Sequence, residues 1–402
     1  MDLKSGYPFW AIKNGLMTAF PPLQGDVRCD AAIVGGGITG ALIADELSRH
    51  GHAVVVLEQR DVGWGSSAAS TALLQYEIDT HMTALAERYG EADAVLAYRA
   101  CLDAIPQLQA VATELGDVDF AAMDSLYYAS KRGHAKDLRE EFALRQAHGF
   151  PVELLEAAAV RERFGIEAPC AILSTVAARV DPYRMACRLL ARVVERGGHV
   201  FDRTVMDRME VTEQGVTLHT AGGRVQADHV VLAAGYAGQH VLKQSVARNR
   251  SSYAFITDPI DADVLGAFAT TMLWESARPY LYLRSTGDGR LLVGGDDDAV
   301  DVPARRDARV DAKARGLQKK AEKLLPGIPL APTFAWAGTF AETEDGLPFF
   351  GPHAEHGPRV HFAMAYGGNG ITYSMIGAGL LRALVEGRGH PMAPLFSFDR
   401  IG

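Results

Sequence analysis

The most constraining stretch of this 402-residue chain runs from Asp30 to Glu58. Gly35, Gly37 and Gly40 stand in G-x-G-x-x-G spacing. The apolar run Ala31–Val34 precedes them, a helical pattern (Ile38, Leu42, Ile43, Leu47) follows, and a second apolar run ends in Glu58. This is the order of a strand–turn–helix–strand unit that binds a dinucleotide. Gly35 permits the tight turn, Gly37 lets a pyrophosphate approach the backbone, and Gly40 lets helix and strand pack closely. The free N–H groups at the helix start, with Ile38 and Thr39 in its first turn, attract the phosphates. Glu58, with Gln59 beside it, is placed to accept hydrogen bonds from ribose hydroxyls. The segment therefore predicts binding of an ADP-containing dinucleotide and leaves open which one.

Composition narrows the remaining classes. The formal net charge of −9 argues against nonspecific nucleic-acid binding. Four scattered cysteines (Cys29, Cys101, Cys170, Cys187) form no C-x-x-C pair and suggest neither zinc nor a disulfide framework. No apolar run approaches the ~20 residues of a membrane helix, and the N-terminus lacks a signal-peptide pattern. A soluble, cytoplasmic protein is the expectation. Length and 48% hydrophobic content predict two domains, or one with a substantial insertion.

Residues 1–28 read as an irregular leader whose aromatics pack on the body. The small-residue run Gly63–Ala72 leads directly into Leu73 and Leu74, so it re-enters the core. Helices are expected over His81–Leu115, His134–His148, Pro182–Glu195 (with Asp181 as N-cap) and Ala312–Leu325. Strands are expected at Leu126–Ala129, Val205–Val211, Val216–Thr220, Arg224–Asp228, His229–Gly235, Ser252–Thr257, Tyr280–Arg284 and Leu291–Gly294, the last two joined by a hairpin turn at Thr286–Gly289. Near the C-terminus, the strand Val360–Ala363 leads through a second glycine-rich turn, Gly367–Thr372, into a final helix at about Ser374–Glu386.

Taken in order, several of these segments resemble the D-amino-acid oxidase superfamily of FAD oxidoreductases, in the branch with glycine oxidase, sarcosine oxidase and related amine oxidases. They are the first glycine motif, Gly65–Ala72, Val180-Asp-Pro182, Ala227–Gly235, Tyr280–Arg284, Trp336-Ala-Gly338, Asp345-Gly-Leu-Pro348 and Gly367–Thr372. The resemblance spans nearly the whole chain. It implies an α/β (α+β) fold: a Rossmann-like FAD-binding domain with a mixed-sheet substrate domain, glycine-oxidase-like. Residues 1–85, 155–245 and 339–402 are assigned to the FAD-binding domain, and 86–154 and 246–338 to the substrate domain.

The same resemblance implies FAD as the cofactor. Ser66, Ser67, Ala72 and Leu73 are expected along the pyrophosphate and flavin, Val205 at the adenine through its backbone, and Ala233 and Gly235 close to the cofactor. Gly368, Asn369, Gly370, Ile371 and Thr372 are expected at the flavin end, where a helix N-terminus favours negative charge. Some relatives attach FAD through a C-terminal cysteine. This chain has no cysteine beyond Cys187, and Gly338 lies near the position such a cysteine takes, so noncovalent FAD is expected.

On the substrate side, strand alternation puts Tyr280, Tyr282 and Arg284 on one face. The resemblance implies that Arg284 grips a substrate carboxylate, for which a guanidinium supplies two parallel N–H bonds. Arg248 and Arg250 are alternative grips. Tyr253 and Tyr366 are candidate pocket walls, and Gln75 and Glu77 are candidates to reach the substrate amine. The run Asp296-Asp297-Asp298 reads as a turn, with no histidine at ligand spacing, and no metal is assigned.

The implied activity is oxidation of a C–N bond of an amine or amino acid by hydride transfer to flavin N5. The imine then hydrolyses, and the flavin is reoxidised by O2 or another acceptor. Leu292 stands where sarcosine oxidases carry an oxygen-activating lysine, which keeps a dehydrogenase in play. Two alternatives are carried: oxidation of a 2-hydroxy acid or polyol, and a non-catalytic flavin-binding regulatory protein.

Overall fold

The computed structural model describes residues 2–300 and 302–401. Its strands form two sheets, of eight and nine strands.

The first sheet is built on the strand Val27–Val34, which pairs in parallel with Gly223–Leu232 on one side and Val54–Leu57 on the other. Val360–Met364 extends the sheet in parallel beyond the former, and His199–Phe201 beyond the latter. The stretches Ala31–Ile33, Val54–Leu57, Val230–Leu232 and Val360–Met364 are buried, as the centre of a parallel sheet covered on both faces requires. The helices Ile38–Arg49, Pro182–Glu195 and Gly370–Val385 pack together against this sheet. The carboxyl ends of Val27–Val34, Val54–Leu57, Gly223–Leu232 and Val360–Met364 open on one cavity, which is where open α/β sheets bind ligands.

The second sheet runs in the order Phe334–Glu342, Arg248–Ile256, Leu291–Asp298, Leu281–Ser285, Thr271–Glu275, Ala121–Tyr128, Cys170–Arg179, Leu73–Gln75, with Val152–Glu156 paired to Cys170–Arg179. It does not follow the domain boundaries drawn from sequence. Leu73–Gln75 and Cys170–Arg179, assigned to the cofactor-binding domain, both hydrogen-bond into it.

The helix over Pro182–Glu195 has the expected bounds, and Asp181 caps it by accepting the Arg184 N–H at 2.9 Å. The helical stretch after His81 divides into Met82–Tyr89 and Glu91–Leu115 at Gly90, whose φ of 89° interrupts the helix. The leader is less irregular than expected. Phe9–Asn14 is a helix that buries Phe9 and Trp10, and Leu3–Ser5 pairs beside the edge strand Phe334–Glu342. Val205 precedes its strand, which begins at Arg208. All four cysteines are buried and free. Among the described residues no helix is long and apolar enough to cross a membrane.

Candidate active site

A single cavity of about 440 Å³ is lined by both glycine turns. Gly35 needs its φ of 122°, and a Cβ there collides with the Ala233 carbonyl. Gly40 does not reach the cavity: a Cβ there meets the Gly35 carbonyl, so it serves helix–strand packing. At Gly37 a Cβ lies 3.1 Å from Ser67 Oγ, and that hydroxyl accepts the Ile38 N–H at 2.8 Å. Ser66 Oγ is buried on the cavity wall without a partner. Glu58 accepts the Gly36 N–H at 2.8 Å and the Arg60 N–H at 2.9 Å. Arg60 also lines the cavity, with its Nε buried and unpartnered.

Ile38, Thr39, Gln59, Ser67, Val205, Ala233 and Gly235 complete this end. Val205 is 52% exposed. A bare glycine cradle, an orphaned hydroxyl and an unpaired guanidinium nitrogen, all facing one elongated cavity, fit a pyrophosphate and its adenosine.

The other end is formed by Gly368, Asn369, Gly370 and Ile371 at the start of the helix Gly370–Val385. Asn369 Nδ2 donates to the Glu77 carbonyl at 2.6 Å, which fixes this turn against the chain just beyond the strand Leu73–Gln75. Thr372 is buried behind the wall, its hydroxyl donating to the Gln75 carbonyl at 3.2 Å. Thr39 and Ser374 hydroxyls meet at 2.8 Å and tie the two glycine-led helices together.

Between the ends runs Ala69–Leu73, which lines the cavity along with Gly338. Three successive carbonyls of this segment are each held by a buried side chain. Trp336 donates to Ala69 O at 2.9 Å, Trp10 to Ser70 O at 2.8 Å, and Arg284 to Thr71 O at 2.7 Å. The next residue, Ala72, is in the left-handed region at φ 50°, a conformation that a β-carbon disfavours.

This bonding overturns the role expected for Arg284. Its guanidinium is fully buried, does not line the cavity, and also donates to Val180 O and Ser285 O, both at 3.0 Å. Burial pushes its pKa down to about 10. Arg284 anchors the segment Ala69–Leu73 from behind and does not reach the cavity. Strand alternation put it on the same face as Tyr280 and Tyr282, but Thr71 and Val180 cover that end of the strand. The alternatives also fall outside the cavity: Arg248 is exposed, and Arg250 pairs with Glu342. Glu77 does not reach the cavity either. It is buried beside Arg145 (3.9 Å), and burial raises its pKa to about 7. Gln75 does line it.

The aromatic expectations fare differently. Tyr282 lines the cavity, its ring lying over Gly294, where any side chain would collide with it. Its hydroxyl is 3.2 Å from Ser252 Oγ. Tyr253 and Tyr366 also line it, but each is 1% exposed and bonded elsewhere: Tyr253 to Asp298 at 3.3 Å, Tyr366 to the Gly235 carbonyl at 3.4 Å.

Sequence reasoning missed Asp79, Trp274, Arg278, Asp297 and Glu342, all of which line the cavity. Asp79 accepts the Gly368 N–H at 2.9 Å. Arg278 is exposed and lies over the Tyr280 ring at 3.8 Å. The Asp296–Asp298 run ends a strand and is not a turn. Among the described residues no cluster suited to a metal occurs.

The family model for DAO, FAD dependent oxidoreductase, matches residues 30–384. This chain belongs to that family of FAD-dependent oxidoreductases. It is 28% identical over 372 residues to glycine oxidase of Geobacillus kaustophilus (strain HTA426), covering 89% of this chain and 93% of the relative. It is 24% identical over 403 residues to gamma-glutamylputrescine oxidoreductase of Escherichia coli (strain K12), covering 94% and 88%. A crystal structure of glycine oxidase from Geobacillus kaustophilus superposes with a TM-score of 0.78 at 24% identity, over 92% of this chain and 98% of that one, so the fold is shared.

FAD is the cofactor of this family, and the cradle described above fits it. Among the described residues the cavity wall holds no cysteine or histidine for a covalent link, which agrees with noncovalent FAD. Acid precipitation is expected to leave the yellow colour in the supernatant. Colour retained in the pellet would show a covalent bond.

Proposed function

We propose that this protein oxidises the C–N bond of a small amine or amino acid. The observation that carries the reading is the far end of the cavity. There, next to the second glycine turn, Tyr280, Tyr282 and Trp274 stand with Asp79 and Asp297. Aromatic faces with carboxylates suit an amine nitrogen. Bound FAD supplies the two-electron acceptor, and the imine product hydrolyses in water to a carbonyl compound. The chain's own work is binding, orientation and exclusion of water. The pinned segment Ala69–Leu73 sets one wall, and the aromatic side chains limit where a substrate carbon can lie. The N–H groups that begin the helix Gly370–Val385 are placed to stabilise negative charge at that end. Once reduced, bound FAD would need O2 or another acceptor to renew it.

The similarity to glycine oxidase and gamma-glutamylputrescine oxidoreductase supports an amine or amino-acid substrate. A 2-hydroxy acid fits less well, because it brings a carboxylate without the cationic nitrogen that an amine or amino acid sets against the acids of the chamber.

The test is anaerobic bleaching of the flavin visible band by a panel of amines, amino acids and 2-hydroxy acids. Bleaching by amines or amino acids is expected. Bleaching by hydroxy acids alone would replace this reading with the second one. No bleaching by any member would favour a regulatory flavoprotein.

A further inference from the structure

The strand Leu291–Asp298 ends in three aspartates that have different surroundings. Its pairing with Arg248–Ile256 shifts register between Ser251 and Tyr253, and Asp296 has φ 53°. An extra residue of this kind re-aims side chains at the end of a strand. Asp296 bonds Lys313 at 3.1 Å and Lys320 at 3.2 Å, and Asp298 bonds Arg309 at 2.8 Å. Both are neutralised by the helix Val310–Leu324 and its approach. Asp297 turns the other way, into the cavity, and among the described residues it forms no ion pair. Its Oδ1 is buried with no hydrogen-bond partner.

The other acids of the cavity wall are already engaged. Glu58 accepts two backbone N–H groups, Asp79 accepts the Gly368 N–H, and Glu342 pairs with Arg250. Of the two cations on the wall, Arg60 lies beside Glu58, and Arg278, exposed over the Tyr280 ring, acts on Asp297 through space but forms no ion pair with it. A carboxylate with one oxygen buried and no cation paired to it is costly, and a positive ligand would offset that cost.

We propose that Asp297 is the recognition carboxylate of the substrate chamber: it holds the positively charged nitrogen of an amine against the Tyr280 and Tyr282 rings, so the chamber selects cations over carboxylates. This deepens the amine-oxidation reading and rests on it for the identity of the reacting bond. The Tyr282 ring adds a cation–π contribution to the ion pair, and the Tyr280 ring, with Arg278 over one face, bounds the chamber beside it.

Groups facing Asp297 are Ser252 and Tyr282, Tyr280, Asp79, Glu342 and Arg278. Burial first, then Asp79 and Glu342, push its pKa up to about 6, against Ser252 and Arg278. A cation of fixed charge should therefore bind weakly at pH 5 and strongly above pH 7, where the carboxylate is ionised.

The experiment titrates FAD-loaded protein with tetramethylammonium, which presents a cation with no N–H to lose, and separately with acetate. Shifts of the flavin visible band report binding. Tetramethylammonium affinity is expected to rise at least tenfold from pH 5 to pH 7.5. Asp297→Asn should lose at least tenfold at pH 7.5, together with the pH dependence. Wild-type binding alone tests the idea should the variant fail to load FAD. The inference is overturned if the cation binds no better at pH 7.5 than at pH 5, if Asp297→Asn binds it like wild type, or if acetate binds more tightly. Cation binding that depends on Asp297 in a protein no amine reduces would sink the proposed activity and leave this site standing. Reduction by amines with an unchanged KM in Asp297→Asn would do the reverse.

Discussion

Arg284→Leu is expected to destabilise the protein by on the order of 3–5 kcal/mol and to weaken FAD binding, with no preference among substrates. The variant leaves the carbonyls of Thr71, Val180 and Ser285 buried without a donor. Each such loss costs about 1–3 kcal/mol, and losses within one network are not additive. For a chain of this length the change corresponds to a fall in Tm of roughly 5 °C. Arg284→Lys should recover only part, because an ammonium on a flexible stem cannot reproduce three bonds set by a planar fork.

The cofactor loop is the element that loosens. Thr71 O loses its anchor, and the left-handed Ala72 next to it is no longer over-determined by its surroundings. The measurements are thermal unfolding of the apo-protein and fluorescence titration of FAD. A second readout separates this positioning role from substrate contact. If Arg284 only supports the loop, Arg284→Lys lowers kcat/KM equally for amines with and without a carboxylate. A loss confined to carboxylate substrates would return Arg284 to the substrate side.

Gly35→Ala is the second large effect: the purified protein should carry no flavin, and FAD affinity should fall more than 100-fold. The position combines φ 122° with a Cβ that runs into the Ala233 carbonyl. Neither problem can be relieved by a side-chain rotation. Relief requires the exit of the strand Gly223–Leu232 to move, and that exit is itself a wall of the cavity. A cost of about 4 kcal/mol or more is the expected order for backbone strain combined with a backbone collision. Gly389→Ala is the control, since a Cβ there meets nothing within 4 Å, and its FAD content and Tm should match wild type. Stoichiometric flavin in Gly35→Ala would refute the close-approach argument.

The cofactor side was legible because its determinants are local. Gly35, Gly37 and Glu58 fall within one strand–turn–helix–strand unit, and the spacing reports the backbone geometry directly. Elements with strong end signals were legible too, as with Asp181-Pro182 at the head of its helix. The strand Cys170–Arg179 was missed. It sits inside the second sheet with three strand partners, and Ser174-Thr175 breaks its apolar run, so it shows neither clean alternation nor one continuous apolar stretch. The substrate side was misread for the same kind of reason. Periodicity placed Arg284 on a face with Tyr282, but what covers each end of that face comes from Thr71 and Val180, remote in sequence. Asp297 looked like its two neighbours because three identical side chains in a row carry no signal of which one faces inward.

By itself, the sequence determined that this chain binds a dinucleotide, through the glycine turn at Gly35–Gly40, and it showed a second helix-opening glycine turn more than 300 residues later whose flavin role the family resemblance implied. Those turns follow from local chemistry: the freedom of glycine at positive φ and the exposed N–H groups of a helix start. Only the tertiary structure decided that both turns face one cavity, that Arg284 supports the cofactor loop from behind, and that Asp297 stands in the chamber unpaired. The physical reason is that burial and pairing of charge depend on what the second sheet and the helix Val310–Leu324 bring alongside, and no stretch of sequence carries that information about its own surroundings.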